Sequence, residues 1–523
     1  MTSTGGKIVR GAAIVSVCTL LAKLLAVVQK LVMGPLFGTG KEADAFFLAF
    51  NSIINAFYNV TKTSLAPFLP LFAEKQKAQG EAEAWGFAST VGSLLFYLLV
   101  AMTLLGFLAA PLLIHFFPHQ GIALTAVKLV RLMLPFVFLM GLASLAFLIL
   151  NAYKVFLFPA LGDVVSKILI ILALVVFYRQ LGIYALALGV VLGAAACLFL
   201  QAGALRNKWP LFRFAIAWRD PLLRTLGWLI LPVLAGVVLS QLRTFIDAWF
   251  AAAIGEGCIA GLGYARGLTD TLILLVPAAV GVAIYPFFSD LAAREEKTEL
   301  AVTLLRSLRL LAFLFIPLAV GIILLRYPLV QLVYERGKFS AESVGLTTGP
   351  LFCYALGLPA FAFETIIVMF FFALKDTKTP VIVGVLTLLV HVSLILCLRG
   401  ALLHNSIALA YSLAKSLKVV VLLVLLMRWR GFDLQPRKSL LFLAKVLLCA
   451  AVMAGVIYLA QRWFRAHIPI PRDLGKWRKA MRLALVLGGA VLAGAAAYAA
   501  SALLLGLEEA KHFAGRLAGL VRK

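Results

Sequence analysis

The 523-residue chain is 63% hydrophobic, with a mean hydropathy of +1.03. A soluble globular protein is only about 45–50% apolar, so most of this surface must face lipid or other helices. Forty-eight Lys and Arg against 22 Asp and Glu leave a formal charge of +26, which in so apolar a chain reads as basic cytoplasmic loops lying against anionic membrane lipid, with no nucleic-acid partner.

Met1 to Arg10 is short, polar and basic, and the apolar run after it is longer than a signal-peptide core, so it is expected to remain as the first helix. Spans follow near 10–36, 43–73, 86–114, 126–152, 158–178, 182–204, 223–253, 258–290, 304–333, 345–374, 379–398, 404–427, 438–461 and 481–506. Each can cross a ~30 Å hydrocarbon core as a helix that satisfies its own backbone. The short alternating segments of a β-barrel are missing. The chain therefore reads as an all-α integral membrane protein of about 14 transmembrane helices.

An even number of spans puts both termini on one side, and loops 74–84, 205–222, 292–307, 375–379 and 428–438 share it. They carry Lys75, Lys77, Arg206, Lys208, Arg294, Lys297, Lys375, Lys378, Arg428, Arg430, Arg437 and Lys438, which makes that side the cytoplasm. Arg462, Arg465, Arg472, Lys476, Arg478 and Lys479 fall on the other side, a placement that an interfacial amphipathic stretch would explain. Cys18, Cys197, Cys258, Cys353, Cys397 and Cys449 lie mostly in apolar runs without CxxC spacing and are expected to pack helices and form no disulfide.

Segments recur at offsets close to 220 residues. Ala66 to Glu74 is similar to Ile284 to Ala292, Lys154 with Pro159 to Lys375 with Pro380, and Tyr184 to Ala187 to Ile407 to Ala410. Repeats running in the same direction imply two pseudo-symmetric six-helix lobes related by an axis along the membrane normal. The expected division is an N-lobe at 1–204, a cytoplasmic linker at 205–222, a C-lobe at 223–430 and two C-terminal helices with a basic tail at 431–523. The linker's pattern of Trp209, Leu211, Phe212, Phe214, Ile216 and Trp218 among basic residues suits the membrane surface.

Ionisable side chains inside spans are costly and are functional candidates unless they snorkel or pair. The first lobe supplies Lys23, Lys30, Asp44, Lys62, Asp163 and Lys167. Lys23 and Lys30 are seven residues apart on one helix, with Gln29 beside them, so they share a face that would attract a phosphate-bearing substrate or pair with carboxylates of neighbouring helices. Asp163 and Lys167 are spaced to pair with each other. The second lobe supplies Arg243, Asp247, Arg266, Asp270, Glu364 and His391. Arg243 and Asp247 are also spaced for self-pairing, while Asp247 and His391 are the candidates for a coupling cation, Na+ or H+. There is no Walker loop, HExxH, GxSxG or Gly-rich strand–helix turn, so neither an enzyme nor an ATP-driven pump is expected, and no cofactor.

Several segments together resemble the MurJ (MviN) family of lipid II flippases within the multidrug/oligosaccharidyl-lipid/polysaccharide exporter superfamily. They are Phe37 to Gly40 with Ala43 to Phe50, Leu65 to Pro70 with Ala73-Glu74, Leu150-Asn151 with Phe158 to Ala160, Tyr264-Ala265, Gly281 to Ala283, Arg336 to Phe339 and Ala373 to Pro380. The resemblance implies a bacterial inner-membrane transporter with fourteen helices in two lobes. It further implies alternating access, in which a cationic cavity takes the pyrophosphate and sugars of an undecaprenyl-linked precursor, with cell-wall synthesis machinery as a further partner. The family's first-helix arginines align with Lys23 and Gln29, its adjacent acid with Lys30, its second-helix arginine with Phe57 and its eighth-helix Asp-Arg pair with Arg266-Gly267. Lysine keeps charge but lacks the bidentate grip of Arg. The substrate-binding set implied is Lys23, Gln29, Lys30, Asp44, Lys62, Arg266 and Asp270, and Asp247 lies at the family's type of sodium site.

Three readings stand beside one another. A flippase for lipid II or another lipid-linked polysaccharide needs a cationic cavity and the two extra helices. A cation-coupled multidrug exporter would want carboxylates and aromatics there instead. A non-transporting scaffold for envelope assembly would have shed its substrate residues.

Overall fold

The computed structural model describes residues 3–118, 120–467, 476–511 and 515, and among them every regular element is helical. The elements are α1 (Ser3–Phe37), α2 (Lys41–Phe47), a π-helical turn (Leu48–Ile54), α3 (Asn55–Ser64), α4 (Phe68–Gln79), α5 (Glu81–His115), α6 (Ala123–Ala152), α7 (Leu157–Leu181) and α8 (Tyr184–Ala204). A short 3-10 stretch (Arg206–Leu211) leads to α9 (Pro221–Ile254), α10 (Cys258–Ala293), α11 (Lys297–Tyr334), α12 (Ala341–Ala373), α13 (Lys378–Leu402), α14 (Asn405–Arg428), α15 (Pro436–His467) and α16 (Lys476–Leu504).

Among the described residues twelve helices are long and apolar enough to cross a membrane. The other two of the fourteen expected spans are α10, with Pro277 and Pro286 inside it, and the segment from α2 to α4. That segment is not one continuous α-helix: the π-helical turn follows α2, and a turn at Leu65–Pro67 separates α3 from α4. Hydropathy registers only the apolar content of such a segment, because a change of hydrogen-bond register leaves composition untouched. The basic 462–479 stretch falls partly on the ends of α15 and α16; residues 468–475 lie outside the described residues.

By packing, the chain divides into two compact units, Met1–Ala260 and Gly261–Lys523. In the first, α7 and α8 pair, α6 lies on α8 and α5, and α1 lies on α7, where the Tyr178 hydroxyl donates to the Leu36 carbonyl. α9 packs on α3 and the π-helical turn. Asp220 starts α9 as an N-cap, its carboxylate accepting the Leu222 amide at 2.9 Å ahead of Pro221 at the first helical position. The same carboxylate pairs with Lys75 at 2.7 Å, both side chains about nine-tenths buried.

In the second unit α12 packs on α11 and α14, α13 pairs with α14, and α15 and α16 form a pair against α11. Phe313, Ile316, Val446, Cys449, Met453 and Ala490 make a shared apolar core there, and the buried Tyr498 hydroxyl donates to the Phe313 carbonyl at 2.8 Å. All six cysteines are free thiols; five are buried and Cys397 is exposed.

The internal repeat extends to backbone detail. Lys154 and Lys375, 221 positions apart, both take a left-handed conformation, with φ of 60° and 59°. Each closes the preceding helix with the same two hydrogen bonds. The Val155 amide reaches Leu150 and the Lys154 amide Asn151, just as the Asp376 amide reaches Phe371 and the Lys375 amide Phe372. This is the Schellman end of a helix, normally closed by Gly. The next loop repeats the match: Gly182 at φ 55° corresponds to Leu403 at φ 49°, again 221 positions on.

Side chains tie down the loops that follow α6 and α12. Glu81 accepts from the Tyr153 hydroxyl and pairs with Lys208 at 2.6 Å, while Trp85 donates to the Tyr153 oxygen at 2.8 Å. Burial and the Glu81 carboxylate push the Tyr153 phenol up to about 12. Asp376 accepts the amide and hydroxyl of Thr379 and pairs with Arg430. Burial opposes its ionisation, yet those partners hold its carboxyl below the usual carboxylate range.

A lysine in the left-handed region costs about 1 kcal/mol relative to Gly. Lys154→Gly and Lys375→Gly are each expected to raise the midpoint of thermal unfolding of the purified protein. A fall in midpoint for both would show that the lysine side chains contribute more than their backbone strain costs.

Candidate functional site

The second unit gathers a polar cluster around Tyr411 on α14. Arg266, on α10, holds its guanidinium 5.0 Å from the Tyr411 ring centre and pairs with Asp270 one turn on, at 3.2 Å. Lys415 stacks its ammonium 5.7 Å from the same ring. His391, on α13 and 1% exposed, meets it edge-on at 6.2 Å. Three residues singled out in the sequence, Arg266, Asp270 and His391, are thus brought to one place.

Glu364 on α12 anchors the cluster. One carboxylate oxygen takes the Lys415 ammonium at 2.5 Å and the other takes Lys418 at 2.7 Å, with the Glu364 and Lys418 side chains each 13% exposed. The approach of α14 to α12 that permits this depends on Gly357, where a Cβ would fall 2.6 Å from the Ser412 hydroxyl. That hydroxyl donates to the Cys353 carbonyl at 2.7 Å. The three charges sum to one positive, so the cluster as a whole is cationic and suited to anionic groups.

In the first unit, α3, α6, α7 and α8 enclose a cavity of about 290 Å3 lined by Tyr58, Lys62, Met140, Ser144, Asp163 and Gln201. The Lys62 ammonium lies 5.6 Å from the Tyr58 ring centre. Asp163 lies in the wall of this cavity together with Lys62, and Lys167, the partner expected from the spacing, also acts on its charge. An ammonium, a carboxylate, an amide and hydroxyls around one space can hold the hydroxyls of a sugar or the oxygens of a phosphate.

Lys23, Gln29 and Lys30 lie on α1, partly exposed. Asp44 is 1% exposed, and its two carboxylate oxygens accept the amides of Gly257 at 2.6 Å and Ala260 at 2.7 Å, at the start of α10. It therefore acts as a cap for the start of α10. Asp247 pairs with Arg243 one turn earlier on α9, both side chains 14% exposed. Among the described residues, no three His, Cys, Asp or Glu side chains assemble into a metal site.

Sequence reasoning named Glu364 without its partners and passed over Tyr411, Lys415 and Lys418. The signal was present, since Lys415 and Lys418 interrupt an apolar helix. What the sequence withheld was the register of α14 against α12, which sets both ammonium groups on one carboxylate.

A family model described as lipid II flippase MurJ matches residues 33–470. A probable lipid II flippase MurJ of Rhizobium meliloti (strain 1021) is 28% identical over 512 residues, covering 95% of this chain and 94% of its own. The lipid II flippase MurJ of Burkholderia cenocepacia is 26% identical over 458 residues, covering 85% and 88%. Among solved structures, a lipid II flippase MurJ in an inward closed conformation superposes with a TM-score of 0.78 at 22% identity, over 94% of this chain and 98% of its own. An inward-facing multidrug resistance MATE family transporter of the MOP superfamily gives 0.70 at 16% identity, over 79% and 95%.

Removing the carboxylate of the Lys415–Glu364–Lys418 triad would leave two ammonium groups facing each other in a poorly solvated place. Glu364→Ala is expected to destabilise the protein by roughly 3 kcal/mol, and the triple variant with Lys415→Met and Lys418→Met to recover most of that loss. Thermal unfolding of the four proteins, with Lys415→Met/Lys418→Met as the fourth corner, measures the coupling. Additive losses would mean the triad is not a coupled unit.

Proposed function

Because the chain belongs to the lipid II flippase MurJ family, we propose that it moves a polyprenyl-pyrophosphate-linked cell-wall precursor of the lipid II type across the bacterial inner membrane. It is a multi-pass transporter and not an enzyme, and it works by alternating access, passing the head group from the cytoplasmic to the outer leaflet. The observation that carries this reading is the match of the family model over residues 33–470, joined to relatives aligned almost end to end.

Lys23, Gln29, Lys30 and Lys62 of the first lobe and Arg266 of the second are the groups we assign to the pyrophosphate and sugars. Lysine in place of arginine keeps the attraction and loosens the geometry, since an ammonium is a point charge and a guanidinium a planar fork. The net positive charge of the Lys415–Glu364–Lys418 triad, beside the Tyr411 ring that Arg266 also meets, adds to the cationic character of the second lobe. Asp270 orients Arg266, and Asp44 shapes the start of α10. Both termini lie in the cytoplasm in this reading, because the loops on that side carry the basic residues.

An ion gradient or the membrane potential supplies the energy. The candidates for coupling are Asp247 and His391, with H+ preferred over Na+. The Asp247 carboxylate is already engaged by Arg243, and an imidazole is the side chain suited to exchanging protons near neutral pH.

The test is replacement of a host's own lipid II flippase by this protein, with growth and the external accessibility of labelled lipid II as readouts. Wild type is expected to restore both, and Lys23→Ala/Lys30→Ala to reduce exposure of labelled lipid II at least tenfold, equivalent to about 1.4 kcal/mol, at equal expression. Absence of rescue by well-expressed protein would turn the assignment to a different lipid-linked glycan.

A further inference from the structure

The first unit holds a second cavity, separate from the one at Lys62, that the transport reading does not use. It measures about 380 Å3 and lies among α5, α6, α8 and the connection between α8 and α9. Phe96, Leu145, Ile149, Leu198, Trp209 and Phe212 are among its walls, and no charged side chain lines it. Gly92 leaves room for the ring of Phe212, which a Cβ there would approach to 3.0 Å.

The connection forming one wall is fastened in place. The Arg213 amide donates to Ser89 at 3.0 Å, the Ala217 amide to Thr90 at 3.2 Å and the Trp209 indole to the Ala202 carbonyl at 3.0 Å. The cavity is therefore built into the fold. Its surroundings are amphipathic: Trp209, Phe214, Trp218 and Phe199 are more than half exposed, the aromatic arrangement of a membrane interface.

The same connection is strongly cationic. Lys208 is taken by Glu81 and Asp220 by Lys75. Arg206, Arg213 and Arg219 remain exposed, and no ion pair involves them among the described residues. Arg206 adjoins the lining residue Leu205, and Arg213 sits between the lining residues Phe212 and Phe214.

We propose that this cavity binds an anionic glycerophospholipid, with part of one acyl chain among the aromatic and aliphatic walls and its phosphate on Arg206 and Arg213. An apolar space is filled by hydrocarbon, and guanidinium groups match phosphate oxygens in pairs. A volume of about 380 Å3 suits part of a hydrocarbon chain better than a partner helix about 10 Å across. The charge at its edge selects an anionic head group over a zwitterionic one.

The experiment is native mass spectrometry of the full-length protein in mild detergent, titrated with phosphatidylglycerol or phosphatidylcholine of identical chains. Wild type is expected to hold one phosphatidylglycerol roughly tenfold more tightly than phosphatidylcholine. Arg206→Gln/Arg213→Gln, on the exposed connection, should bring the two lipids level. Ala146→Trp, which fills the cavity, should release both, with thermal unfolding used to select folded protein. Equal binding of the two lipids by wild type would overturn the proposal, as would a phosphatidylglycerol preference that survives the double arginine variant. Recovery of a polyprenyl pyrophosphate in the cavity in place of phospholipid would overturn it too.

Discussion

Hydrocarbon offers no water to a polar group, and that constraint organises the molecule from backbone to site. Each span satisfies its own peptide groups as a helix, and where a helix stops or changes register the freed groups are taken up locally. The Schellman ends at Lys154 and Lys375 close two helices within their own last turns. Asp44 does the corresponding work for amides at the start of α10, and Asp220 for α9. Each carboxylate gives backbone donors at a helix start the acceptor that the helix itself does not supply.

Membrane-embedded charges follow the same logic and are grouped. Arg243 neutralises Asp247 and Arg266 neutralises Asp270, each within one helix, while Glu364 is shared by Lys415 and Lys418 across two helices. Grouping leaves a controlled surplus. Arg266 and Lys415 meet at the face of Tyr411, so positive charge is presented on an aromatic platform that keeps it partly desolvated without leaving it unbalanced. Such an arrangement is suited to anionic groups held by several modest contacts.

The fold spends its basic residues in two ways. Within the spans they form the clusters just described. In the connections they fasten loops, as Lys75, Lys208 and Arg430 do, or stay exposed beside aromatic residues, as Arg206 and Arg213 do. The net charge of +26 is thus partly committed to structural pairs and partly left exposed.

The sequence by itself determined the fold class, the approximate span limits and the two-lobe repeat, because hydropathy over about 20 residues and recurrence at a fixed offset are local properties. It also marked Arg266, Asp270, His391 and Glu364, since a charge or imidazole in an apolar run is visible without coordinates. Tertiary structure alone decided who meets whom. It set Lys415 and Lys418 on Glu364, put Asp163 with Lys62 in one cavity, committed Asp44 to backbone amides and placed a π-helical turn inside the second span. Those outcomes depend on the register of one helix against another and on backbone hydrogen bonding, neither of which leaves a periodic trace in the order of residues.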